Sequence, residues 1–239
     1  MSLLHFSTNE IYKRRIIQLG ESPERVFNVG SLGVENVLHQ KLMSKHELNQ
    51  ISKFKFSKFN ALVTFHPETR LPKKNSLENL KNLLESIKAL PEVNFLVTGT
   101  NIDPNYQEFD KLISKYINNK HIFYHESLGM KNFISMLKHC DLIIGNSSSG
   151  IIEAPSCSTF TINIGDRQTG REMGKSIINT EPIKRDIIQN INICLDKQCN
   201  ASNFLPSLYG DGQTSNRIYE IISSYDFNQQ KLKQFYDLK

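Results

Sequence analysis

The sequence lacks tryptophan, has few prolines and contains no apolar stretch long enough to cross a bilayer. Its 239 residues include 8 prolines and 12 glycines, a composition typical of an ordinary soluble protein. A membrane-spanning helix needs roughly 18 consecutive apolar residues, and no run approaches that length. The N-terminus also lacks the charged and apolar blocks of a signal peptide. These absences predict a soluble protein of the cytoplasm.

Cysteine pairs and blocks of like charge are absent as well. The four cysteines form no CxxC pair, which favours reduced thiols over disulfides. Cys140 and Cys157 lie in apolar segments and are expected to be small core residues rather than nucleophiles. The net charge of +5 comes from scattered lysines. It suits an anionic ligand without requiring nucleic acid or a membrane surface as a partner.

Short apolar runs alternate with amphipathic helical patterns through most of the chain. The runs predict buried strands at 61–65, 95–98, 122–124, 142–144 and 159–164. Helices are predicted between these strands and at 183–194 and 214–223. Strands and helices that alternate at this spacing form βαβ units. The predicted fold class is therefore α/β, a three-layer doubly wound parallel sheet of the Rossmann-like type.

The segment Gly-Asn-Ser-Ser-Ser-Gly at 145–150 carries the first candidate site. In a doubly wound sheet the ligand lies beyond the carboxyl ends of the strands, where helices begin. Serine hydroxyls and backbone N–H groups at such a helix start would bind an anion. Glu153 would share their face of the helix and suits paired hydroxyls such as a ribose diol. In the alternative interpretation, Ser147 caps the helix and Glu153 is a solvated first-turn acid.

Two further strand ends offer polar side chains. Arg167 and Arg171 follow the 159–164 strand, and guanidinium groups fit phosphate oxygens well. Arg167 is the better candidate because it is nearer the strand, whereas Arg171 could equally be a surface residue. His66 follows the 61–65 strand and could donate to a phosphate, transfer a proton or have a structural role. Phe133 could stack on a base or belong to the core. Neighbouring strand ends therefore offer donors and a cation together.

Four motifs, in this order along the chain, carry a family resemblance: Phe65–Thr69, Gly145–Pro155, Asn163–Arg171 and Tyr209–Gly212. The set resembles the hydrolysing UDP-N-acetylglucosamine 2-epimerases of sialic-acid biosynthesis, and the resemblance covers nearly the whole chain. It implies the C-terminal half of a GT-B-type two-domain fold. The implied organisation is residues 1–35 as the end of the N-terminal domain, 36–60 as a linker, 61–215 as the nucleotide-binding domain, and 216–239 as C-terminal helices that return toward the N-terminal domain.

The resemblance also implies which residues bind the ligand. His66 would be the catalytic residue of this part of the chain, close to the diphosphate and the reacting sugar. The implied UDP-binding residues are Ser147, Ser148, Ser149, Gly150, Glu153, Arg167, Leu128, Phe133 and Asn101. The ligand would be UDP or UDP-N-acetylglucosamine, with no metal and no further cofactor, and the parent enzyme would be a homo-oligomer.

In this family UDP leaves C1 of the sugar by elimination to give a glycal, which is a sugar with a double bond between C1 and C2, and water then adds to form N-acetylmannosamine. Clustered N–H groups, serines and arginine would stabilise the charge that develops on the departing diphosphate. The carboxylates that move protons at the sugar belong to the N-terminal domain. Because the chain begins near the end of that domain, we expect it to bind UDP weakly without turnover. A glycosyltransferase of the same fold and a non-catalytic nucleotide-binding module are the alternatives.

Overall fold

The computed structural model describes residues 2–68, 72–100, 106–196, 204, 207–227 and 233–238. The strands are β1 (His5–Ser7), β2 (Val26–Asn28), β3 (Phe59–Thr64), β4 (Val93–Thr98), β5 (Ile122–His125), β6 (Leu142–Gly145), β7 (Phe160–Ile164) and β8 (Ile177–Thr180). The helices are α1 (Glu10–Gln18), α2 (Leu32–His39), α3 (Lys45–Ser52), α4 (Lys73–Lys88), α5 (Tyr106–Ser114), α6 (Gly129–His139), α7 (Ser149–Ile152), α8 (Lys184–Asp196) and α9 (Thr214–Ser224). The chain divides into two units, residues 41–206 and residues 1–40 with 207–239.

The larger unit, residues 41–206, is built on a six-stranded parallel sheet with the strand order β5-β4-β3-β6-β7-β8. The chain moves outward from β3 to β5, returns to the other side of β3 at β6, and then moves outward again to β8. This reversal between β3 and β6 is the topological switch point at which open α/β sheets bind their ligands. The ends of β3 and β6 are in register there, because Thr64 is paired with Gly145.

Helices cover both faces of this sheet, which explains its uninterrupted apolar strands. One core cluster joins buried side chains of α4, α5 and α8, such as Leu83, Phe109 and Ile187, to the strands. On the other face α6 contacts β3, α7 contacts β7, and α3 packs against α6. A parallel sheet buried on both faces selects continuous apolar runs rather than alternation. The predicted three-layer, doubly wound α/β class is confirmed.

In the larger unit the strands follow the sequence prediction closely, with one strand added. The five predicted strands are present, and each has one or both ends shifted by one or two residues. Strand β8 extends the sheet beyond the last strand predicted. Residues 36–60, predicted as a linker, include α3 and the fully buried Phe54, whose ring meets Phe123 edge-on with centroids 5.3 Å apart. Aromatic packing therefore attaches the second half of this segment to the larger unit.

The smaller unit, residues 1–40 with 207–239, contains the two-stranded parallel sheet of β1 and β2 and helices α1, α2 and α9. Its two chain segments are joined at Tyr209, whose carbonyl accepts a hydrogen bond from the Ser31 N–H at 2.7 Å. The Tyr209 hydroxyl also lies 3.2 Å from that of Tyr12. These bonds connect residues far apart in sequence within one unit.

The C-terminal tail differs from the helices expected over 216–239. Helix α9 ends at Ser224, and the described residues 233–238 have no regular secondary structure. The Tyr236 N–H instead donates to the Gly20 carbonyl at 2.9 Å, and Lys233 forms an ion pair with Glu21 at 2.6 Å. The tail therefore bonds the Gly20–Glu21 turn instead of forming hydrogen bonds within a helix of its own.

Candidate functional site

A cavity of about 350 Å³ lies at the carboxyl ends of β3, β4, β5, β6 and β7. Its lining residues are Thr64, His66, Thr98, Gly99, Glu126, Ser127, Leu128, Gly129, Phe133, Ser147, Ser148, Ser149 and Arg167. The cavity spans the switch point between β3 and β6. It therefore occupies the position where this sheet topology binds ligands.

The turn after β6 brings its backbone unusually close to β3. Gly145 has φ of +139°, and a Cβ built on it would lie 2.0 Å from the Thr64 carbonyl oxygen. No other residue fits this position without moving one of the two strands. The following N–H, that of Asn146, donates to the same Thr64 carbonyl at 3.3 Å. Glycine at 145 thus lets the serine turn start directly beside the end of β3.

The side chain of Asn146 holds the backbone of His66. The His66 N–H donates to Asn146 Oδ1 at 2.8 Å, and Asn146 Nδ2 donates to the His66 carbonyl at 2.9 Å. Asn146 is fully buried beneath the cavity and does not line it. Because both polar atoms of the Asn146 amide bond the backbone of His66, they hold His66 next to the serine turn.

The backbone carbonyl of Asn146 binds the segment after β7. Arg167 donates to this oxygen through Nη1 at 3.0 Å, and the buried Gln168 donates through Nε2 at 2.7 Å. Arg167 is otherwise exposed and lines the cavity. Asn146 therefore connects the ends of three strands, β3, β6 and β7, and places a histidine and an arginine on one cavity.

A buried carboxyl group, Glu68, lies next to this connection. Its Oε1 accepts a hydrogen bond from Asn79 Nδ2 at 3.4 Å, and its backbone N–H donates to Ser76 Oγ at 3.0 Å. Burial raises the pKa of Glu68, and the nearby Asp166 adds to this, whereas Asn79 and Arg167 act in the opposite direction. Glu68 is thus a buried acid whose charge is costly at neutral pH.

The serine turn presents its side chains to the cavity with little hydrogen bonding of its own. Ser147 Oγ accepts from the Ser149 N–H at 3.3 Å. Ser147 does not cap α7 as the alternative interpretation expected, because the N-cap residue is Ser148 and its side chain makes no capping bond. Gly150 does not line the cavity. It packs on β7, where its carbonyl accepts from Thr161 Oγ1 at 2.6 Å and a Cβ would lie 2.6 Å from Thr161 Cγ2.

Glu153 lies one residue beyond α7 and outside the lining of the cavity. It is not a solvated first-turn acid. Its Oε2 is buried and has no hydrogen-bond partner in the described part of the chain. Burial raises the pKa of Glu153, with Arg171 acting in the opposite direction. Buried polar atoms normally have a hydrogen-bond partner, so this oxygen is an exception.

The wall opposite the serine turn comes from the end of β5 and the start of α6. Leu128 is buried, α6 begins at Gly129 with φ of +66°, and the partly buried Phe133 lines the cavity one turn later. Leu128 and Phe133 are the large apolar residues of this lining, and they lie next to the polar Glu126 and Ser127. Asn101, also predicted to contact UDP, lies outside the described residues.

Arg171 and the cysteines lie elsewhere. Arg171 is exposed and lines a second cavity, of about 420 Å³, beyond the ends of β7 and β8. Cys140 and Cys157 are buried free thiols. Burial raises the pKa of Cys157 to about 12 and also raises that of Cys140. Neither thiol has the lowered pKa of a nucleophilic cysteine.

Several residues near the cavity were not singled out from the sequence. They are Thr64, Glu68, Thr98, Glu126, Asn146 and Gln168. Glu68, Asn146 and Gln168 lie inside the motifs that carry the family resemblance, but the motifs do not identify the bonds that these residues make. The roles of Thr98 and Gln168 depend on strand order, which the sequence alone does not supply.

The described ranges contain no group of three or more His, Cys, Asp or Glu side chains arranged to hold a metal ion. Within the same ranges, no helix is both long enough and apolar enough to span a membrane.

Comparison with known proteins adds the family. The family model described as UDP-N-acetylglucosamine 2-epimerase matches residues 1–223. The chain is 39% identical over 199 residues to "Polysialic acid biosynthesis protein P7" of Escherichia coli, which covers 83% of this chain and 50% of that protein. It is 38% identical over 183 residues to the hydrolysing GDP/UDP-N,N'-diacetylbacillosamine 2-epimerase of Campylobacter jejuni, covering 76% of this chain and 47% of that protein. The chain thus spans about half the length of these relatives.

Solved structures show the same fold at low identity. A structure of S. aureus MnaA with UDP superposes with a TM-score of 0.74 at 18% identity and covers 99% of this chain and 64% of that one. The Methanocaldococcus jannaschii UDP-GlcNAc 2-epimerase in complex with UDP-GlcNAc and UDP gives a TM-score of 0.69 at 20% identity, covering 94% of this chain and 62% of that one.

Proposed function

The chain belongs to the UDP-N-acetylglucosamine 2-epimerase family, and from this premise we propose that it is the UDP-binding part of a hydrolysing 2-epimerase that forms N-acetylmannosamine and UDP. The observation that carries the proposal is the cavity at the switch point. There the serine turn, Arg167 and His66 converge on one space from three different strands. The family resemblance recognised in the motifs is confirmed, and the assignment of this role to the cavity is our inference.

The arrangement suits a departing diphosphate. Ser147 and Ser148 offer hydroxyl and backbone N–H donors, and Arg167 offers a cation whose head group is held by the Asn146 carbonyl. Donors fixed in place before the reaction stabilise the negative charge that develops as the bond from the diphosphate to the sugar breaks. The apolar side chains of Leu128 and Phe133 would accept the uracil ring. Glu153 does not line the cavity, so its side chain would turn toward the ligand for its partnerless Oε2 to accept a ribose hydroxyl.

His66 lies beside these donors and is the candidate for contact with the reacting sugar or the diphosphate. Elimination removes the proton at the sugar C2 together with UDP, and addition of water to the resulting double bond returns a proton to C2. These transfers need acid–base groups tuned near neutrality. We assign the main ones to carboxylates in the other half of the parent enzyme, so this 239-residue chain should bind UDP without releasing it from UDP-N-acetylglucosamine.

Calorimetric titration with UDP tests the site directly. The variants are Ser148→Ala and Glu153→Ala, and each should weaken binding about ten- to a hundredfold, because a hydrogen bond to a charged group is worth roughly 1.5–3 kcal/mol. Ser114→Ala is the control, since Ser114 is an exposed serine at the end of α5 whose hydroxyl donates to the Lys111 carbonyl and does not line the cavity. Equal affinity for UDP in all four proteins would remove the proposed contacts.

A second sugar nucleotide is also a candidate substrate of the parent protein. Two relatives, at 38% and 28% identity, are named hydrolysing 2-epimerases of N,N'-diacetylbacillosamine nucleotides. The product formed by the full-length parent protein from UDP-N-acetylglucosamine and from UDP-N,N'-diacetylbacillosamine decides between the two sugars. Transfer of the sugar to an acceptor, with no 2-epimer released, would instead support a glycosyltransferase. Nucleotide binding by the parent protein with neither reaction would support a non-catalytic module.

A further inference from the structure

Two buried asparagines in the larger unit make the same pair of hydrogen bonds at opposite ends of the sheet. At the carboxyl end Asn146 binds the backbone N–H and carbonyl of His66 at 2.8 and 2.9 Å. At the amino end Asn60, the second residue of β3, binds the backbone N–H and carbonyl of Ser57 at 2.8 and 2.9 Å. Both side chains are almost fully buried, at 0% and 2% exposure. Their structural contribution should therefore be similar.

What distinguishes Asn146 is the set of groups attached to it. Its amide fixes His66, and its carbonyl accepts Arg167 and Gln168 from the segment after β7. His66 and Arg167 both line the cavity, whereas Asn146 does not. Asn60 instead exchanges backbone and side-chain bonds with Asp141, at the start of β6. Four residues of extended chain, about 13 Å, separate Asn60 from the last residue of β3.

From this geometry we infer that Asn146 is a positioning residue of the candidate site. Without touching the ligand, it sets the spacing between the histidine after β3 and the arginine after β7, so that both reach the same diphosphate. The inference rests on the proposed function for the identity of the ligand, but the effect of the Asn146 side chain on His66 can be tested without any ligand. The uridine part of the ligand, bound by other residues, should not depend on Asn146.

The experiment compares Asn146→Ala with Asn60→Ala in the 239-residue chain, using UDP and uridine as probes in NMR-detected titrations, which measure weak affinities. Loss of the two bonds frees the His66 backbone, so Asn146→Ala should weaken UDP binding about tenfold or more. Its affinity for uridine should change less than about twofold. Asn60→Ala should leave both affinities within about twofold of the wild type. It should lower the free energy of unfolding by about as much as Asn146→Ala does.

A second measurement needs no nucleotide. The imidazole signal of His66, identified by its loss in His66→Gln, should move in Asn146→Ala and stay in place in Asn60→Ala. If wild-type protein binds neither probe, the proposed function fails, and the His66 signal still decides the positioning role. An unmoved His66 signal, or an equal loss of affinity for UDP and uridine, overturns the inference. Should an alanine variant fail to fold, Asn146→Ser and Asn60→Ser carry the same comparison without adding charge.

Discussion

The body of the six-stranded sheet and its carboxyl edge are built from the same strands but have opposite chemistry. In the body, residues 61–63 of β3 are fully buried among apolar side chains of α4 and the neighbouring strands. At the edge, just after β3 and β6 end, polar residues such as His66, Glu68 and Asn146 are buried instead. Apolar burial stabilises the fold, whereas buried polar groups at best offset the cost of their desolvation. The difference suggests that stability lies in the body and ligand binding at the edge.

The largest effect should come from the body. Leu83 on α4 is 0% exposed, and Leu83→Ala should lower the free energy of unfolding by about 2–5 kcal/mol, because it removes buried methyl groups and leaves a cavity. Urea denaturation followed by circular dichroism measures this loss. UDP affinity, measured under conditions where the variant is folded, should stay within about twofold of the wild type.

The matched control for Leu83 is Ile183→Ala. Ile183 is 50% exposed just before α8 and should change the unfolding free energy by no more than about 0.5 kcal/mol. A large loss of UDP affinity in Leu83→Ala would show that packing in the body of the sheet affects ligand binding at the edge, and it would contradict the proposed division between the two.

Gly145 lies where body and edge meet, so its substitution should affect both properties. In Gly145→Ala the new Cβ would meet the Thr64 carbonyl at 2.0 Å, with φ of +139°. We expect a loss of about 1–3 kcal/mol in unfolding free energy from backbone strain, together with weaker UDP binding because the serine turn must move. Gly174→Ala, at a glycine with open space around it, should change neither quantity measurably.

The body was predictable from sequence because its signal is local. Apolar runs such as Ala61–Phe65 and Leu142–Ile144 have the length and composition of buried parallel strands, and each lies within one or two residues of the strand found. Strand β8 was missed because Ile177–Thr180 has only two apolar residues and lies at the sheet edge, where one side needs less burial. Tertiary contacts at Gly20 likewise decided the shape of the tail.

Removing the charge of a buried acid at the edge should raise the free energy of unfolding, whereas truncating a core leucine lowers it. Burial raises the pKa of Glu153 above its ordinary value of 4.5, so folding favours the protonated carboxyl. The stability that it contributes is therefore present below pH 4.5 and is lost as pH rises through the raised pKa. At pH 7.5 Glu153→Gln should raise the unfolding free energy by about 1 kcal/mol, because it removes a charge whose Oε2 is buried without a hydrogen-bond partner among the described residues.

Urea denaturation of wild type and Glu153→Gln from pH 4 to pH 8 checks this sign. The stability difference between the two proteins should widen as pH rises and be small at pH 4. UDP affinity at pH 7.5 should fall in the same variant, which would show stability and binding moving in opposite directions at the edge. A variant less stable than wild type at pH 7.5 would refute the account of Glu153.

The edge was only partly predictable because its geometry depends on strands that are distant in sequence. His66, Ser147–Ser149 and Arg167 were identified as candidates from their positions after predicted strands, and the structure brings them to one cavity. Arg167 was preferred to Arg171 because it is nearer the end of the strand, and the structure places Arg171, four residues later, on a different cavity. Asn146 was overlooked because its importance lies in bonds to residues 80 and about 21 positions away, and no local pattern encodes such bonds.

The smallest effect should come from the charge of Arg167. Its guanidinium is exposed, so its attraction to a diphosphate is screened by water and salt and should be worth about 0.2–1 kcal/mol. Arg167→Gln should therefore weaken UDP binding only about two- to fivefold at roughly 0.1 M salt, and the difference should shrink further near 1 M. Arg171→Gln, an equally exposed arginine of the neighbouring cavity, should bind UDP like the wild type. A hundredfold loss of UDP affinity in Arg167→Gln that persists at high salt would mean that the bound nucleotide excludes water from this arginine. The ligand-bound edge would then be as well shielded from water as the core of the sheet.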